Sequence, residues 1–285
     1  MSAPATYGGI DMSVLLTYSP KYGIMSAIRK GDSMPQAGFV LQMDDEHLNE
    51  EAFAALQQIK RHNWLLPDDT IETKCLSIGE LTAENIAGMT PVGSIEFVEW
   101  VLQLEYDIQK LRPTIIPNAL RTPEFLRRYI ATAHSKADVV RFFDAWDCGV
   151  IFVKSASSVK CDYADLYTRA DELPDDSSYF VSSGINISSE WRVFVHRGSI
   201  KDVRNYSGDP WLIPCKDTVT RMISSWAEAP SAYTLDVAVL CDGSTIVMEV
   251  HNFVSCGLYG MNSHALIPML RDGFKFELAR NNPTA

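Results

Sequence analysis

The chain has 285 residues, 46% of them hydrophobic and 21% charged, with a formal net charge of −11; this is ordinary globular composition, enough for one large or two modest domains. No basic block advertises a nucleic-acid groove, no apolar run approaches the roughly 18 residues of a membrane span, and the start lacks a basic segment followed by an apolar core. The six cysteines (75, 148, 161, 215, 241 and 256) form no Cys-x-x-Cys pair, so zinc knuckles and redox dithiols are not expected, and the chain reads as a soluble, cytoplasmic protein with reduced thiols.

In chain order, residues 12–18 (MSVLLTY) and 37–42 (AGFVLQ) have the apolar runs of buried strands. Residues 49–62 carry apolar side chains at 53, 56 and 59, a helical spacing, with acidic residues leading and Lys60, Arg61 and His62 closing, as the helix dipole prefers. Residues 94–104 read as a strongly apolar helix starting near Ser94. The three prolines of 111–123 (LRPTIIPNALRTP) suit an extended connection, which places a domain boundary there: an N-terminal α/β domain over 1–115 and a second unit over 116–285. Thr122 can cap a helix and Pro123 fits its first position, predicting an apolar face of Phe125, Leu126, Tyr129 and Ile130. Ser135 and Asp138 open another helix, followed by Val139, Val140, Phe142, Phe143 and Trp146.

GVIFVKSASSVK, residues 149–160, is a short apolar strand ending in Lys154, then a loop of small residues, then Lys160. A strand stopping at a solvated lysine is the ordinary reading; a lysine projecting toward phosphates is the functional one. Neither GxxxxGK[ST] nor GxGxxG is present. Residues 161–178 are acidic and polar, with a strand and a turn around Pro174, and 179–183 (YFVSS) form a short strand or hinge. Residues 188–209 predict a hairpin turning at Arg197-Gly198, with Arg192 on its first strand and Arg204 on its second. Two such arginines are either salt-bridge partners or anion clamps, and the register leaves open whether they share a face. A short helix over 217–227 turns Val219, Met222, Ile223 and Trp226 inward, and Ser263 caps a last helix containing Pro268.

Asp236 to Gly260 (DVAVLCDGSTIVMEVHNFVSCGLYG) organises the whole. Two runs rich in β-branched residues, 235–240 and 245–250, flank Asp242-Gly243, a strong signal for a two-residue type I′ turn. Centred there, the turn sets Asp236 opposite Glu249, with their Cβ atoms roughly 5 Å apart, where like charges repel. Something cationic is then needed between them, and Mg²⁺ is the direct candidate because it takes carboxylate oxygens and shares them with substrate phosphates. His251 falls on the same face as Glu249, while Asn252 points the other way unless the strand ends first. The bland alternative is a pair of solvated strand-end carboxylates.

The order of these parts resembles the ATP-grasp superfamily of carboxylate–amine ligases, most closely a phage-associated clade of it. The segments that carry the resemblance are GVIFVKS, SEWRVFVHRGSIKDVRNYSGD and LDVAVLCDGSTIVMEVHNFVSCGLYG, together with PVGSIEFVEWVL at 91–102. It implies an ATP-grasp fold, α+β with an α/β N-terminal domain, in which two α+β lobes sandwich ATP and Mg²⁺ sits on the acidic hairpin. By the same resemblance Lys154 and Lys160 face phosphates, Phe180, Val181, Ser182 and Ser183 make the adenine hinge, Arg192 and Arg204 clamp the phosphate or acylphosphate, and Asp236 and Glu249 hold the metal. Many members have Glu-x-Asn where this chain has Glu249-Val250-His251, so the third ligand is His251 or the neighbouring Asn252.

The expected activity is amide or peptide bond formation between a small-molecule or peptide carboxylate and an amine, through an acylphosphate, with no nucleic-acid or membrane partner. The alternative is an ATP-binding module or phosphotransferase that kept the fold without the ligase step.

Overall fold

The computed structural model describes residues 38–146, 149–157, 159 and 163–281, all within one unit. The strand expected over 12–18, Lys160, Cys148 and Cys161 lie outside the described residues. The elements run β1 (Phe39–Asp44), β2 (His47–Leu48), α1 (Glu50–Leu65), β3 (Thr73–Leu76), α2 (Ala83–Ile86), β4 (Thr90–Val92), α3 (Ile95–Tyr106), α4 (Pro123–Leu126), β5 (Ile130–Ala133) and α5 (Lys136–Trp146). They continue with β6 (Ile151–Ser155), β7 (Ala164–Tyr167), β8 (Tyr179–Ser183), β9 (Ile187–His196), β10 (Ser199–Gly208), α6 (Lys216–Ser225), β11 (Ala232–Leu240), β12 (Thr245–Asn252) and α7 (Leu266–Asn281).

Three sheets divide the work. In the first, β1 lies between β3 and β4, both parallel to it, and β2 folds back antiparallel on its end. The second is antiparallel in the order β5-β8-β6-β7, and the third antiparallel in the order β10-β9-β11-β12. This is the α+β arrangement that the resemblance implies: a mixed N-terminal sheet followed by two antiparallel lobes. Among the described residues no helix is long and apolar enough to cross a membrane.

Local signals set most element starts. Asn49 caps α1 by accepting from Glu51 N at 3.0 Å, Ser94 caps α3 by accepting from Phe97 N at 3.2 Å, and Ser135 accepts from Asp138 N at 3.1 Å ahead of α5; each satisfies a backbone donor that the first helical turn leaves open. Two details depart from the sequence reading. The buried face of α1 carries Ala52, Ala55, Gln58 and Ile59, leaving Phe53 exposed. The small residues face inward because the helix packs against β1 and α7. The helix after Thr122 stops at Leu126, since Arg127 adopts a left-handed conformation (φ 47°). Ile130 therefore starts a strand, and Tyr129 is exposed.

The third sheet positions the site. On β9, Trp191, Val193 and Val195 pack on one side with Val219 and Met222 of α6. Alternation turns Glu190, Arg192 and Phe194 to the other side, where Phe194 joins the core shared by β1, α1 and α7. The sheet thus has one face given to packing and the other given partly to charge.

Candidate active site

Asp236 and Glu249 do face each other across β11 and β12, but the turn is not the expected one. Leu240 N donates to Ser244 O at 2.9 Å and Gly243 N to Leu240 O at 2.9 Å, so three residues, 241–243, form the loop, with Gly243 at φ +80°. The pairing near the turn accordingly sets Val237 against Val247. A β-bulge at Met248 then absorbs one residue on β12, and Glu249 returns opposite Asp236.

Arg128 holds that bulge. Its Nη1 donates to Val247 O, its Nη2 to Met248 O at 3.1 Å, and its Nε to Ser182 Oγ on β8 at 3.1 Å. One guanidinium thereby ties the second sheet to the kinked strand of the third. Burial lowers its pKa to about 10, against the opposing pull of Glu249. Nothing in the spacing of Arg127-Arg128 separates this residue from its neighbour, whose Nη1 pairs with exposed Asp242 at 2.9 Å; only the partners 119 and 120 residues away do.

The expected repulsion between the two carboxylates is met by protein cations. Asp236, 3% exposed, takes a two-pronged contact from Arg192, Nε to Oδ1 at 2.8 Å and Nη2 to Oδ2 at 2.7 Å. Glu249 Oε1 is paired with Lys154 Nζ of β6, and Glu249 Oε2 lies 3.1 Å from His251 Nε2. His251 Nε2 is also 3.6 Å from Asp236 Oδ2. Burial would raise the pKa of both carboxylates, yet the hydrogen bonds and charges of these partners outweigh it and hold both well below the usual range. For His251 burial works against the charged ring, and the two carboxylates more than offset it, raising its pKa above the ordinary value.

Asp236, Glu249 and His251 form a candidate metal set: one ligand atom from each lies within 4.8 Å of the others. Both carboxylates suit a hard divalent cation, and a neutral imidazole can join them. Asn252 turns differently. It is buried and donates from Nδ2 to Glu277 of α7.

A cleft opens beside this cluster between the second and third sheets, lined among others by Ile115, Lys154, Phe180, Met248, Glu249 and His251. The Phe180 ring lies 5.4 Å from Lys154 Nζ. Of the other hinge candidates, Val181 packs in the core of its own lobe. Ser182 and Ser183 are buried: the first accepts from Arg128, and the second accepts from Tyr129 N at 3.1 Å.

Arg204 faces Arg192 across β9 and β10, which resolves the open register. Its guanidinium pairs with Asp202 Oδ2 at 2.7 Å. Arg192 extends further: Nη1 donates to Gly257 O at 3.0 Å, and the guanidinium lies over the Tyr259 ring at 4.9 Å. Cys256 lines the cleft, and burial pushes its thiol up to about 12, an inert rather than nucleophilic state.

The comparisons with known proteins agree with this architecture. D-alanine–D-alanine ligase from Bacillus anthracis superposes with a TM-score of 0.52 at 12% identity, covering 86% of this chain and 99% of that one. D-cycloserine synthetase DcsG superposes with a TM-score of 0.53 at 10% identity, covering 84% and 99%. At such identities the likeness is one of fold. No curated protein matches the sequence. A sequence model of the ATP-grasp domain, the one that describes family 2 of its clade, matches residues 125–269, just over half the chain. That span runs from α4 through both antiparallel lobes into α7 and contains Lys154, Arg192, Asp236 and Glu249, and the chain belongs to this family of ATP-grasp domains.

Proposed function

We propose that the chain is an ATP-dependent ligase that joins a carboxylate to an amine through an acylphosphate, with residues 116–285 as the catalytic unit and residues 38–115 helping to shape the acceptor pocket. The observation that carries this reading is the Lys154–Glu249 contact across the cleft. A lysine from one sheet and a carboxylate from the next meet where phosphates and a cation would exchange for each other. Lys154 would turn to phosphate oxygens, and Glu249, freed, would join His251 and Asp236 on Mg²⁺. When bound, that ion would neutralise phosphate charge and polarise the γ-phosphoryl group.

Phe180 and Met248 offer apolar surface for the base, and Lys160, six positions after Lys154 in the sequence, would be a second lysine for the phosphates. Arg192 and Arg204 would offset the charge that develops as a substrate carboxylate attacks the γ-phosphorus. Arg192 is pre-oriented, because Asp236 and Gly257 already fix its fork. The side-chain amide of Asn252 is engaged by Glu277, which favours His251 over Asn252 as third ligand. Substrates would be small-molecule or peptide carboxylates and amines.

A second reading, an ATP-binding module or phosphotransferase, is favoured by one observation. The carboxylates raise the pKa of His251, and a protonated imidazole at a metal position opposes the metal. Both readings are tested by ADP release from Mg²⁺-ATP over a panel of carboxylates with and without amines. The ligase requires ADP formation that depends on both. ADP formation that ignores the amine overturns it in favour of phosphotransfer, and binding without turnover leaves a binding module.

A further inference from the structure

We propose that Glu51 of the first-sheet lobe is a positioning residue for Arg192, acting through Gly257. Its consequence for turnover rests on the ligase reading above; the geometry does not. Glu51 Oε1 accepts from Gly257 N at 2.9 Å, and Gly257 O accepts from Arg192 Nη1 at 3.0 Å. Nε and Nη2 of the Arg192 fork donate to Asp236. One residue therefore transmits the position of α1 to the arginine that neutralises Asp236.

The loop that carries Gly257 is strained. Ser255 (φ 49°), Gly257 (φ 69°), Tyr259 (φ 47°) and Gly260 (φ 74°) all lie in the left-handed region. The two that are not glycine are disfavoured there by contact between Cβ and the following carbonyl, and such conformations persist only where the surroundings over-determine them. The ties that do so come from the first-sheet lobe: Ser255 Oγ donates to Gly93 O at 2.7 Å, and Glu51 takes Gly257 N. Glycine suits position 257 because its φ of +69° disfavours a side chain, and a Cβ there, 3.2 Å from Arg192 Nη1, would push the guanidinium aside by a few tenths of an ångström.

Two features argue for a role beyond packing. Burial raises the pKa of Glu51 despite the Gly257 hydrogen bond, so an apolar residue would suit the place better if packing alone mattered. The same loop also lays the Tyr259 ring on Arg192 and stacks it on Tyr206 at 5.0 Å. Releasing the loop would free the carbonyl and the ring together, leaving Arg192 held only by Asp236 and the more distant Tyr206.

The test uses the full chain with Glu51→Ala, Glu51→Gln and Ser255→Ala. Hydrogen exchange of the Arg192 guanidinium protons, those on Nη1 included, is followed by NMR, Mg²⁺-ATP affinity by calorimetry, and kcat and KM by ADP formation. Glu51→Ala should speed Arg192 exchange by about tenfold, as one lost hydrogen bond would, and lower kcat by a similar factor, with Mg²⁺-ATP affinity held within about threefold. Glu51→Gln, which keeps an acceptor oxygen, should restore most of both. Ser255→Ala, which loosens the loop from its other tie, should speed Arg192 exchange and decides the matter if Glu51→Ala does not fold. Unchanged Arg192 exchange overturns the proposal, and so does a loss of Mg²⁺-ATP affinity as large as the loss of kcat, which marks a general structural role. If wild type forms no ADP with any carboxylate–amine pair, the ligase reading fails while the Arg192 exchange still decides this one.

Discussion

In the β9–β10 hairpin the chain turns at Arg197-Gly198, both left-handed, and His196 faces Ser199 as a two-residue turn requires. A bulge at Lys201 then slides the register by one residue, so that Arg204, not Val203, faces Arg192, and a second at Tyr206 slides it by one more beyond that pair. In the β11–β12 hairpin the loop is one residue longer than expected, and the bulge at Met248 takes that residue back. The first pair of strands has the expected turn and a displaced register. The second has an unexpected turn and the expected pairing.

The bulges are also held differently. Those of β10 are held by neighbours: Asp202 Oδ1 accepts from Val203 N at 2.8 Å and Asp202 Oδ2 pairs with Arg204, while Asn205 Nδ2 donates to Ser207 O at 2.9 Å and to Glu190 O at 3.0 Å. The bulge of β12 is held by Arg128, from the segment that opens the second sheet. One hairpin is thus shaped by its own side chains, while the register that places Glu249 depends on the lobe across the cleft. A candidate metal-binding pair can therefore be specified from outside the strands that carry it.

The largest effect is expected where the remote anchor is cut. Arg128→Met leaves Val247 O and Met248 O without their charged donor, at a cost of roughly 2–4 kcal/mol. Urea denaturation measures it, and Mg²⁺-ATP affinity should fall as Glu249 loses its place. A variant as stable as wild type would show that the bulge holds itself.

Glu249→Gln tests the pairing that the bulge delivers. Relief of repulsion between Asp236 and Glu249 would have left stability equal or higher. With Lys154 and His251 already neutralising Glu249, the change should instead destabilise. The side chain is 35% exposed, so solvent screening should hold the cost to about 1 kcal/mol. The same variant should abolish the melting-temperature rise produced by Mg²⁺-ATP.

Asn205→Ala cuts a local anchor. It removes two hydrogen bonds that water can partly replace, so about 0.5–1 kcal/mol is expected, with Mg²⁺-ATP affinity unchanged. A loss of affinity as large as that from Arg128→Met would erase the distinction between the two hairpins.

The smallest effect is a pH dependence. Because the carboxylates raise the folded pKa of His251, its contribution to stability is full below the ordinary value of 6.5 and is lost as pH rises through the folded value. Asp236 and Glu249, with depressed values, contribute above their ordinary 3.8 and 4.5 and lose that contribution only as pH falls through the folded ones. Metal-free melting temperature should therefore decline gently above neutrality, and His251→Asn should flatten the decline. Mg²⁺-ATP binding should strengthen over the same range, as a neutral ring becomes available.

The parts whose causes are local were legible in the sequence. Ser94, Thr122 and Ser135 cap helices because a short polar side chain beside a helical start has one nearby use. Short apolar runs placed Lys154 and Phe180 on strands, and Gly198 and Gly243 marked turns, because left-handed backbone favours glycine. The rest waited on tertiary structure, because its causes lie far along the chain. The inward face of α1 depends on β1 and α7 being close enough to require alanines. The partners of the carboxylates are Arg192, 44 residues from Asp236, and Lys154, 95 residues from Glu249. Arg128 and Glu51 showed no local pattern at all, because the groups they hold, carbonyls of a bulge and the amide of a strained loop, exist only once three sheets have come together.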